Sequence, residues 1–581
     1  VVSFRLGKYE IEIAGEAGNM REQNSVRTVQ FGAASRIGLL EQLQGAQLDV
    51  LIIGGGITGA GIALDAASRG MKVGLVDMQD FAAGTSSRST KLVHGGLRYL
   101  KQFEIGVVAE VGKERAIVYE NGPHVTTPEW MLLPLYKGGS FGKFSTSIGL
   151  RLYDFLAGVK RKERRKMLSV AETLAKEPLL KRDGIKGGGY YVEYRTDDAR
   201  LTIEVMKKAV ETGARAVNYA KVERLLNGAD GKVTGVLVRD PIGGGAYEIK
   251  ATKIINATGP WVDELRELDG SKSGKTLRLT KGVHLVFDQS RFPLRQAVYF
   301  DTPDGRMVFA IPRDGKTYFG TTDTNYQGDT VNPVMTLEDR DYLLKAANFM
   351  FPEQRLVAAD VESSWAGLRP LIQQEGKSPS EISRRDEIFV SPSGLISIAG
   401  GKLTGYRKMA ETVVDKVIEL LRAEGATGQF AASATRNIPM SGGDVGGSDK
   451  FAAFVSRTAA EGERVGFTGA ESTFLAQRYG SNASKLFALA ASQPQWILES
   501  GLPLVLAVQL QYAIEQEMTV KPVDFFIRRT GNLFFHIEEV RRWSAPVISA
   551  MAALLGWSGE QTASYTAELE LKLTEAVEPL K

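Results

Sequence analysis

Between Phe81 and Leu100 the chain reads Phe-Ala-Ala-Gly-Thr-Ser-Ser-Arg-Ser-Thr-Lys-Leu-Val-His-Gly-Gly-Leu-Arg-Tyr-Leu, with Arg88, Lys91, His94 and Arg98 three and four residues apart. On a short helix that spacing places all four on one face, so a basic surface suited to an anionic group is expected. Arginine suits phosphate because it pairs with it bidentately and never deprotonates. A histidine near its ordinary pKa of roughly 6.5 can take up a proton at neutral pH. The chain has only four histidines, His94, His124, His284 and His536, and no spacing among them resembles a metal site. His94, after a hydroxyl-rich turn, and His284, in a strand-like apolar run, are the two candidates for a base, and the sequence does not separate them.

A second group of residues binds rather than reacts. Gly54, Gly56 and Gly59 satisfy G-x-G-x-x-G, with Thr58 inside the motif. They follow the apolar run Val50 to Ile53 and open a stretch of helical spacing from Ile57 to Ser68. Such a turn lets backbone approach a pyrophosphate, while the helix start aims N–H groups and its positive dipole end at the phosphates. A second strand-like run, Lys72 to Val76, ends in Asp77, about twenty residues past the glycines, where a carboxylate can accept ribose hydroxyls. The whole unit predicts a dinucleotide cofactor.

Composition narrows the class. At 581 residues the chain is too long for one core, and its 43% apolar and 24% charged content are those of a globular protein. A net charge of +4 argues against a dedicated nucleic-acid binder but suits anionic small substrates or anionic lipid. The absence of cysteine excludes disulfides, thiolate nucleophiles and iron–sulfur clusters, and makes a cytoplasmic location the expectation. No apolar run reaches eighteen residues, so no spanning segment is expected. The first twenty residues carry Glu10, Glu12 and Glu16 and do not read as a signal peptide. Met20 reads as a start site, with residues 1–19 a poorly ordered extension.

The elements that must position these residues are of three kinds. An extension and lead-in helix over 1–46 precede a discontinuous nucleotide-binding domain of 47–105, 181–261 and 376–425. Residues 105–180 read as helical with loops, and 106–180 with 262–375 are assigned to a substrate domain and cap. Within it, short runs of period-two alternation, Gly282 to Phe287, Met307 to Ile311 and Thr317 to Gly320, predict an antiparallel sheet. Ser397-Ile-Ala-Gly-Gly-Lys-Leu-Thr404 repeats the strand, glycine, helix pattern and aims a second helix start at the cofactor. Residues 430–581 read as a helical domain broken at Pro503, Pro522 and Pro546, with Asp524-Phe-Phe-Ile-Arg-Arg-Thr-Gly as its most distinctive and chemically silent stretch. Its aromatics read as core, with a membrane or homodimer contact as the alternative. Lys160-Arg-Lys-Glu-Arg-Arg-Lys166 reads as a solvated face, with contact to anionic headgroups as the alternative.

With these motifs in hand, a family resemblance becomes specific. The glycine loop, Thr85 to Tyr99, Val192-Glu-Tyr-Arg-Thr-Asp-Asp-Ala-Arg-Leu201, Asn256-Ala-Thr-Gly-Pro-Trp-Val262, Gly320-Thr-Thr-Asp323, Gly367-Leu-Arg-Pro-Leu371 and Gly400-Gly-Lys-Leu-Thr-Gly-Tyr-Arg407 resemble the FAD-dependent glycerol-3-phosphate dehydrogenases and their oxidase relatives. The resemblance covers about 45 to 410. It implies a Rossmann-type α/β domain holding FAD, an antiparallel sheet over the substrate and a C-terminal helical domain. It implies FAD contacts from Gly54, Gly56, Thr58, Gly59 and Asp77; from Thr85, Ser86, Ser87, Lys91, Leu92, His94, Gly95 and Gly96; from Ala257, Thr258 and Gly259; and from Gly401, Lys402, Leu403 and Thr404.

The implied reaction is oxidation of sn-glycerol 3-phosphate to dihydroxyacetone phosphate, with electrons passed on to a membrane quinone. By the same resemblance Arg98 and Arg369 hold the substrate phosphate, with Tyr99 beside the first and Arg384 as a further candidate. Lys402 would stabilise the reduced flavin, and His94 or His284 would take the hydroxyl proton. The implied location is the inner face of the membrane, without a spanning segment. Rival readings are an oxidase that uses oxygen, against which stands the lack of an obvious long insertion, an amine oxidase of the same superfold, and an RNA- or membrane-binding flavoprotein, against which stands the modest charge.

Overall fold

The computed structural model describes residues 31–94, 105–139, 164–374 and 386–580. The nucleotide-binding half is an eight-stranded sheet whose order runs Glu387–Val390, Ile396–Ala399, Ala246–Asn256, Gln47–Ile53, Val73–Val76 and Arg215–Val217. A hairpin of Lys221–Asn227 and Val233–Arg239 extends it alongside Ala246–Asn256. The central pairings are parallel, with Ile53 opposite both Asn256 and Val76, and Asn256 opposite Ser397. Parallel strands are covered on both faces, which explains why Val50 to Ile53 is an unbroken apolar run instead of an alternating one. The register matters for function, because the ends of three strands distant in sequence finish on one edge of the sheet.

Helix Ile57–Ser68 packs between Asp198–Glu211 and Tyr406–Ala423 over one face. Its small residues are what permit this: a Cβ added at Gly61 would lie 2.9 Å from the Tyr406 ring and 3.2 Å from Ala410. The lead-in helix is Arg36–Gln44, within the stretch where the sequence places one.

The second sheet has ten strands among the described residues. Lys275–Asp288 and Val361–Gln374 form its longest antiparallel pair, placing His284 opposite Trp365, Gly282 opposite Gly367 and Thr280 opposite Arg369. Period-two alternation sorts the first of these strands: Val283, Leu285 and Phe287 join the core under helix Leu337–Met350, while Val286 joins Trp365 and Tyr318 against the C-terminal helices. Among the described residues the sheet is antiparallel except for one pair, Thr126–Tyr136 beside Ala297–Asp301.

Three readings of the sequence are corrected here. Residues 105–180 are not helical throughout, because Thr126–Tyr136 is an eleven-residue strand disguised by Pro128 and Pro134. Ile185–Thr196 is paired with that strand in the substrate sheet, so the nucleotide-binding segment does not begin at 181. The basic stretch forms no helix over 88–94, where a short turn, Thr85–Ser87, is followed by the strand Leu92–Val93. The C-terminal helices share one continuous apolar core with the substrate sheet, Met131, Tyr191 and Trp365 packing with Phe534, Phe535 and Met551. No helix among the described residues is long and apolar enough to cross a membrane.

Candidate active site

Where the parallel strands end, a cavity of about 780 Å³ opens. Its walls are the glycine loop, Asp77 to Gln79, Ala83 to Ser86, Ala257 to Trp261, and Gly400 to Leu403. All of these except Ala83 to Ser86 lie just past the end of a strand. The Gly54 N–H donates to the Val76 carbonyl at 2.8 Å, and the Ala257 N–H to the Ile53 carbonyl at 2.9 Å, so the sheet's own hydrogen bonds draw the turns together. Gly54 adopts φ +113°, and a Cβ there would lie 2.5 Å from the Ala257 carbonyl oxygen. A Cβ on Gly59 would collide with the Gly54 carbonyl, so this glycine serves helix–strand packing and does not itself line the cavity. The Ser86 hydroxyl accepts the Ile57 N–H at 2.9 Å, capping one of the donors at the helix start.

Asp77 sits with one carboxylate oxygen accepting the Gly55 N–H at 2.5 Å and the other accepting the Gln79 N–H at 2.8 Å. Burial raises its pKa to about 6, against those two hydrogen bonds. It is therefore ionised at neutral pH, with lone pairs left to accept hydroxyls.

A smaller cavity of about 170 Å³ shares Thr85, Ser89, Lys402 and Leu403 with the first and adds Arg88, Thr90, His94, His284, Gly282, Arg369 and Thr404. The two histidines, Lys402 and Arg369, drawn from four distant parts of the chain, meet here. Arg369 donates to the Thr322 carbonyl and the Thr321 hydroxyl, both at 3.2 Å, and pairs with Asp323 at 3.3 Å. Lys402 follows Gly400 and Gly401, at φ +77° and +87°, and caps the turn leading into helix Tyr406–Ala423.

Both histidines are held neutral. Burial, then the charges of Lys402 and Arg115, lower His94 to about 4. Burial, then Arg369 and Lys91, hold His284 well below its ordinary value. His284 is 1% exposed, lies flat on Trp365 with ring centroids 4.7 Å apart, and places Nε2 3.1 Å from the Thr90 hydroxyl. His94 is fixed through its backbone: the Thr404 hydroxyl accepts its N–H and donates to its carbonyl, both at 3.1 Å.

Of the residues expected at the cofactor, Gly54, Gly56, Thr58, Asp77, Thr85, Ser86, Ala257, Thr258, Gly259, Gly401, Lys402 and Leu403 line the large cavity. Leu92, His94 and Thr404 line the smaller one. Three expectations are corrected, Gly59 among them, since it lines neither cavity. Lys91 lines neither cavity, because its ammonium is paired with Asp198 at 2.6 Å and the Ser87 carbonyl at 2.9 Å, and Ser87 is buried behind the wall. Gly95, Gly96, Arg98, Tyr99 and Arg384 lie outside the described residues, as do residues 1–19 and Lys160 to Glu163. Sequence spacing gives no sign of Thr90, Gln79, Trp261 or the Lys221–Glu223 edge, whereas Arg88, one of the expected basic group, lines the smaller cavity. A threonine next to a chemically interesting lysine carries no spacing signal, and the hairpin edge is a wall only because of where the sheet ends. Among the described residues no group of three metal-ligating side chains occurs.

The family described as FAD dependent oxidoreductase matches residues 49–407, and that described as the C-terminal domain of alpha-glycerophosphate oxidase matches 433–562. The chain is 61% identical over 552 residues to the aerobic glycerol-3-phosphate dehydrogenase of Bacillus subtilis, covering 95% of this chain and 99% of that one. The chain belongs to the FAD-dependent glycerol-3-phosphate dehydrogenase family. It is 59% identical over 538 residues to the aerobic glycerol-3-phosphate dehydrogenase of Staphylococcus aureus, covering 92% and 96% of the two chains. The solved glycerol-3-phosphate dehydrogenase of Bacillus halodurans, complexed with FAD, superposes with a TM-score of 0.83 at 52% identity over 95% of this chain and 99% of that one. The L-alpha-glycerophosphate oxidase of Mycoplasma pneumoniae, 21% identical with a TM-score of 0.52, shares the fold. FAD is therefore the cofactor, and the cavity fits it: a Cβ would meet the Ala257 carbonyl oxygen at Gly54 and lie 3.1 Å from the Ser86 hydroxyl at Gly56, so glycine lets the backbone form this wall, the Asp77 carboxylate is placed for ribose, and the room is within the usual range for such ligands.

Proposed function

We propose that this chain oxidises sn-glycerol 3-phosphate to dihydroxyacetone phosphate, with a membrane quinone as final electron acceptor at the inner membrane face. The observation that carries the reading is the smaller cavity, lined by two arginines, a lysine and two neutral histidines and sharing Thr85, Ser89, Lys402 and Leu403 with the cofactor cavity. Bound FAD supplies the hydride acceptor. Gly54, Gly56 and Thr58 would hold its pyrophosphate and Asp77 its ribose, while Lys402 keeps a positive charge on the wall the two cavities share.

Arg369 binds the substrate phosphate, with Arg98, Tyr99 and Arg384 as further ligands. The three-carbon chain then lies against the wall that carries His284 and His94. His284 is the base: Arg369 is among the charges that hold it neutral, so a phosphate dianion arriving at Arg369 offsets that charge and raises the imidazole's proton affinity. Substrate binding thus prepares the group that takes the hydroxyl proton. His94, held down by burial and then by Lys402 and Arg115, keeps its neutral form beside the cofactor cavity.

Arg369→Ala is expected to raise the Michaelis constant for glycerol 3-phosphate by roughly 10- to 100-fold, the effect of losing one charge-assisted contact, with flavin content unchanged. Arg369→Lys should recover part of the loss, since the charge returns without the fork. Unchanged steady-state kinetics would remove Arg369 from the phosphate site. The acceptor is tested by turning over the protein with a quinone analogue in air and measuring peroxide. Little peroxide per substrate oxidised is expected; one peroxide per turnover would make it an oxidase.

A further inference from the structure

The Asp524–Arg529 stretch, silent as a sequence, forms a π-helical turn in which both arginines are buried and aimed at the nucleotide-binding domain. Their common target is Asp80, 0% exposed. Arg529 clasps it with two bonds, Nη1 to Oδ2 and Nη2 to Oδ1, each 2.8 Å, and Arg528 adds Nε to Oδ2 at 2.5 Å. Asn218 donates a fourth bond at 2.9 Å. Arg528 is itself braced by Asp524 at 2.5 Å, and Asp524 accepts the Tyr219 hydroxyl at 2.6 Å. The four charged groups balance in a buried cluster.

Asp80 lies three residues past Asp77, in the loop that underlies the glycine turn. The Ala82 N–H donates to the Gly55 carbonyl at 3.1 Å, and the Phe81 ring packs so closely on Gly55 that a Cβ there would lie 2.5 Å from it. Asp77 accepts the Gly55 N–H, while Met78, Gln79 and Ala83 face the cofactor cavity. This loop belongs to no strand or helix, and Ala82 sits at φ +63°; its path is fixed by backbone bonds, among them the Tyr219 N–H to the Gln79 carbonyl at 2.9 Å, together with the side-chain bonds to Asp80. The charges reach the binding carboxylate as well. Burial pushes Asp80 up, but Arg529 and Arg528 outweigh it and bring the carboxyl to about 2. Asp77 is raised first by burial; its bonds from the Gln79 and Gly55 N–H groups lower it, the Asp80 charge raises it and Arg528 lowers it by less.

We propose that Arg528 and Arg529 are positioning residues for the cofactor: by holding Asp80 they fix the loop that carries Asp77, which makes the C-terminal helical domain part of the FAD site. That domain's contribution is then cofactor retention, independent of which alcohol is oxidised.

The test uses the holoenzyme diluted into buffer, with release of FAD followed by the rise in flavin fluorescence. Asp80→Asn and Arg529→Lys are compared with Tyr512→Phe, which removes the Lys207–Tyr512 bond of 2.7 Å between the same two parts of the chain without touching Asp80. Asp80→Asn is expected to release FAD at least about tenfold faster, Arg529→Lys to fall between it and wild type, and Tyr512→Phe to stay within about twofold of wild type. With FAD in excess, the Michaelis constant for glycerol 3-phosphate should be unchanged in both positioning variants. Wild-type release from Asp80→Asn, or equal acceleration in Tyr512→Phe at a matched loss of thermal midpoint, would reduce the cluster to an ordinary structural joint. Should Asp80→Asn not fold, Arg528→Lys is judged by the same release rate and decides in the same way.

Discussion

His284→Asn is expected to lower kcat with glycerol 3-phosphate by about 10²- to 10⁴-fold, the usual contribution of a positioned proton acceptor, with FAD still bound. The size of the effect follows from the residue's surroundings. Its ring is packed flat on Trp365, its Nε2 is fixed by Thr90, and burial with nearby Arg369 and Lys91 keeps it neutral in the free protein. A neutral imidazole has a lone pair to offer, and each unit by which bound phosphate restores its pKa strengthens it by about 1.4 kcal/mol. Asparagine retains hydrogen-bonding atoms of similar reach but cannot accept a proton at neutral pH. His94→Asn serves as the comparison, and its effect on kcat should be the smaller of the two. The opposite order would transfer the role to His94, whose ring lies on the same cavity beside Lys402.

Gly54→Ala is expected to weaken FAD binding by roughly 30- to 1000-fold. Two penalties combine there. A side chain at φ +113° costs about 1–3 kcal/mol of backbone strain, and the new methyl would meet the Ala257 carbonyl, a backbone atom that cannot step aside without breaking the parallel pairing of Ile53 and Asn256. At 1.4 kcal/mol per tenfold, a total of about 2–4 kcal/mol gives the stated range. The purified variant should be colourless or nearly so, with far-ultraviolet circular dichroism like that of the parent. A fully yellow Gly54→Ala protein would mean that the turn does not approach the cofactor as described.

Much of the nucleotide-binding half was legible because its signals are local. The strand, the glycine triplet, the helix and Asp77 lie within thirty residues, and each has a steric or electrostatic reason to be where it is. The late strand at Ile396–Ala399, followed by Gly400 and Gly401, was readable for the same reason. The substrate half was harder. Thr126–Tyr136 carries two prolines and reads as part of a helical region, and Ile185–Thr196 reveals its sheet only through pairing with it. Lys91 shows where residue type misleads: a lysine in a motif rich in functional residues is used to neutralise Asp198 behind the cavity wall. Arg528 and Arg529 show the reverse, since nothing in their own neighbourhood announces an aspartate more than four hundred positions away.

The central claim is that a phosphate-binding cavity with a base on its wall opens onto the FAD cavity, so that one class of alcohol reduces the bound flavin. The most direct measurement is anaerobic mixing of the holoenzyme with sn-glycerol 3-phosphate, glycerol or sarcosine while the absorbance of oxidised flavin is followed. The band should bleach rapidly with glycerol 3-phosphate and persist with the other two. Bleaching by sarcosine, or persistence of the band with glycerol 3-phosphate, would contradict the account.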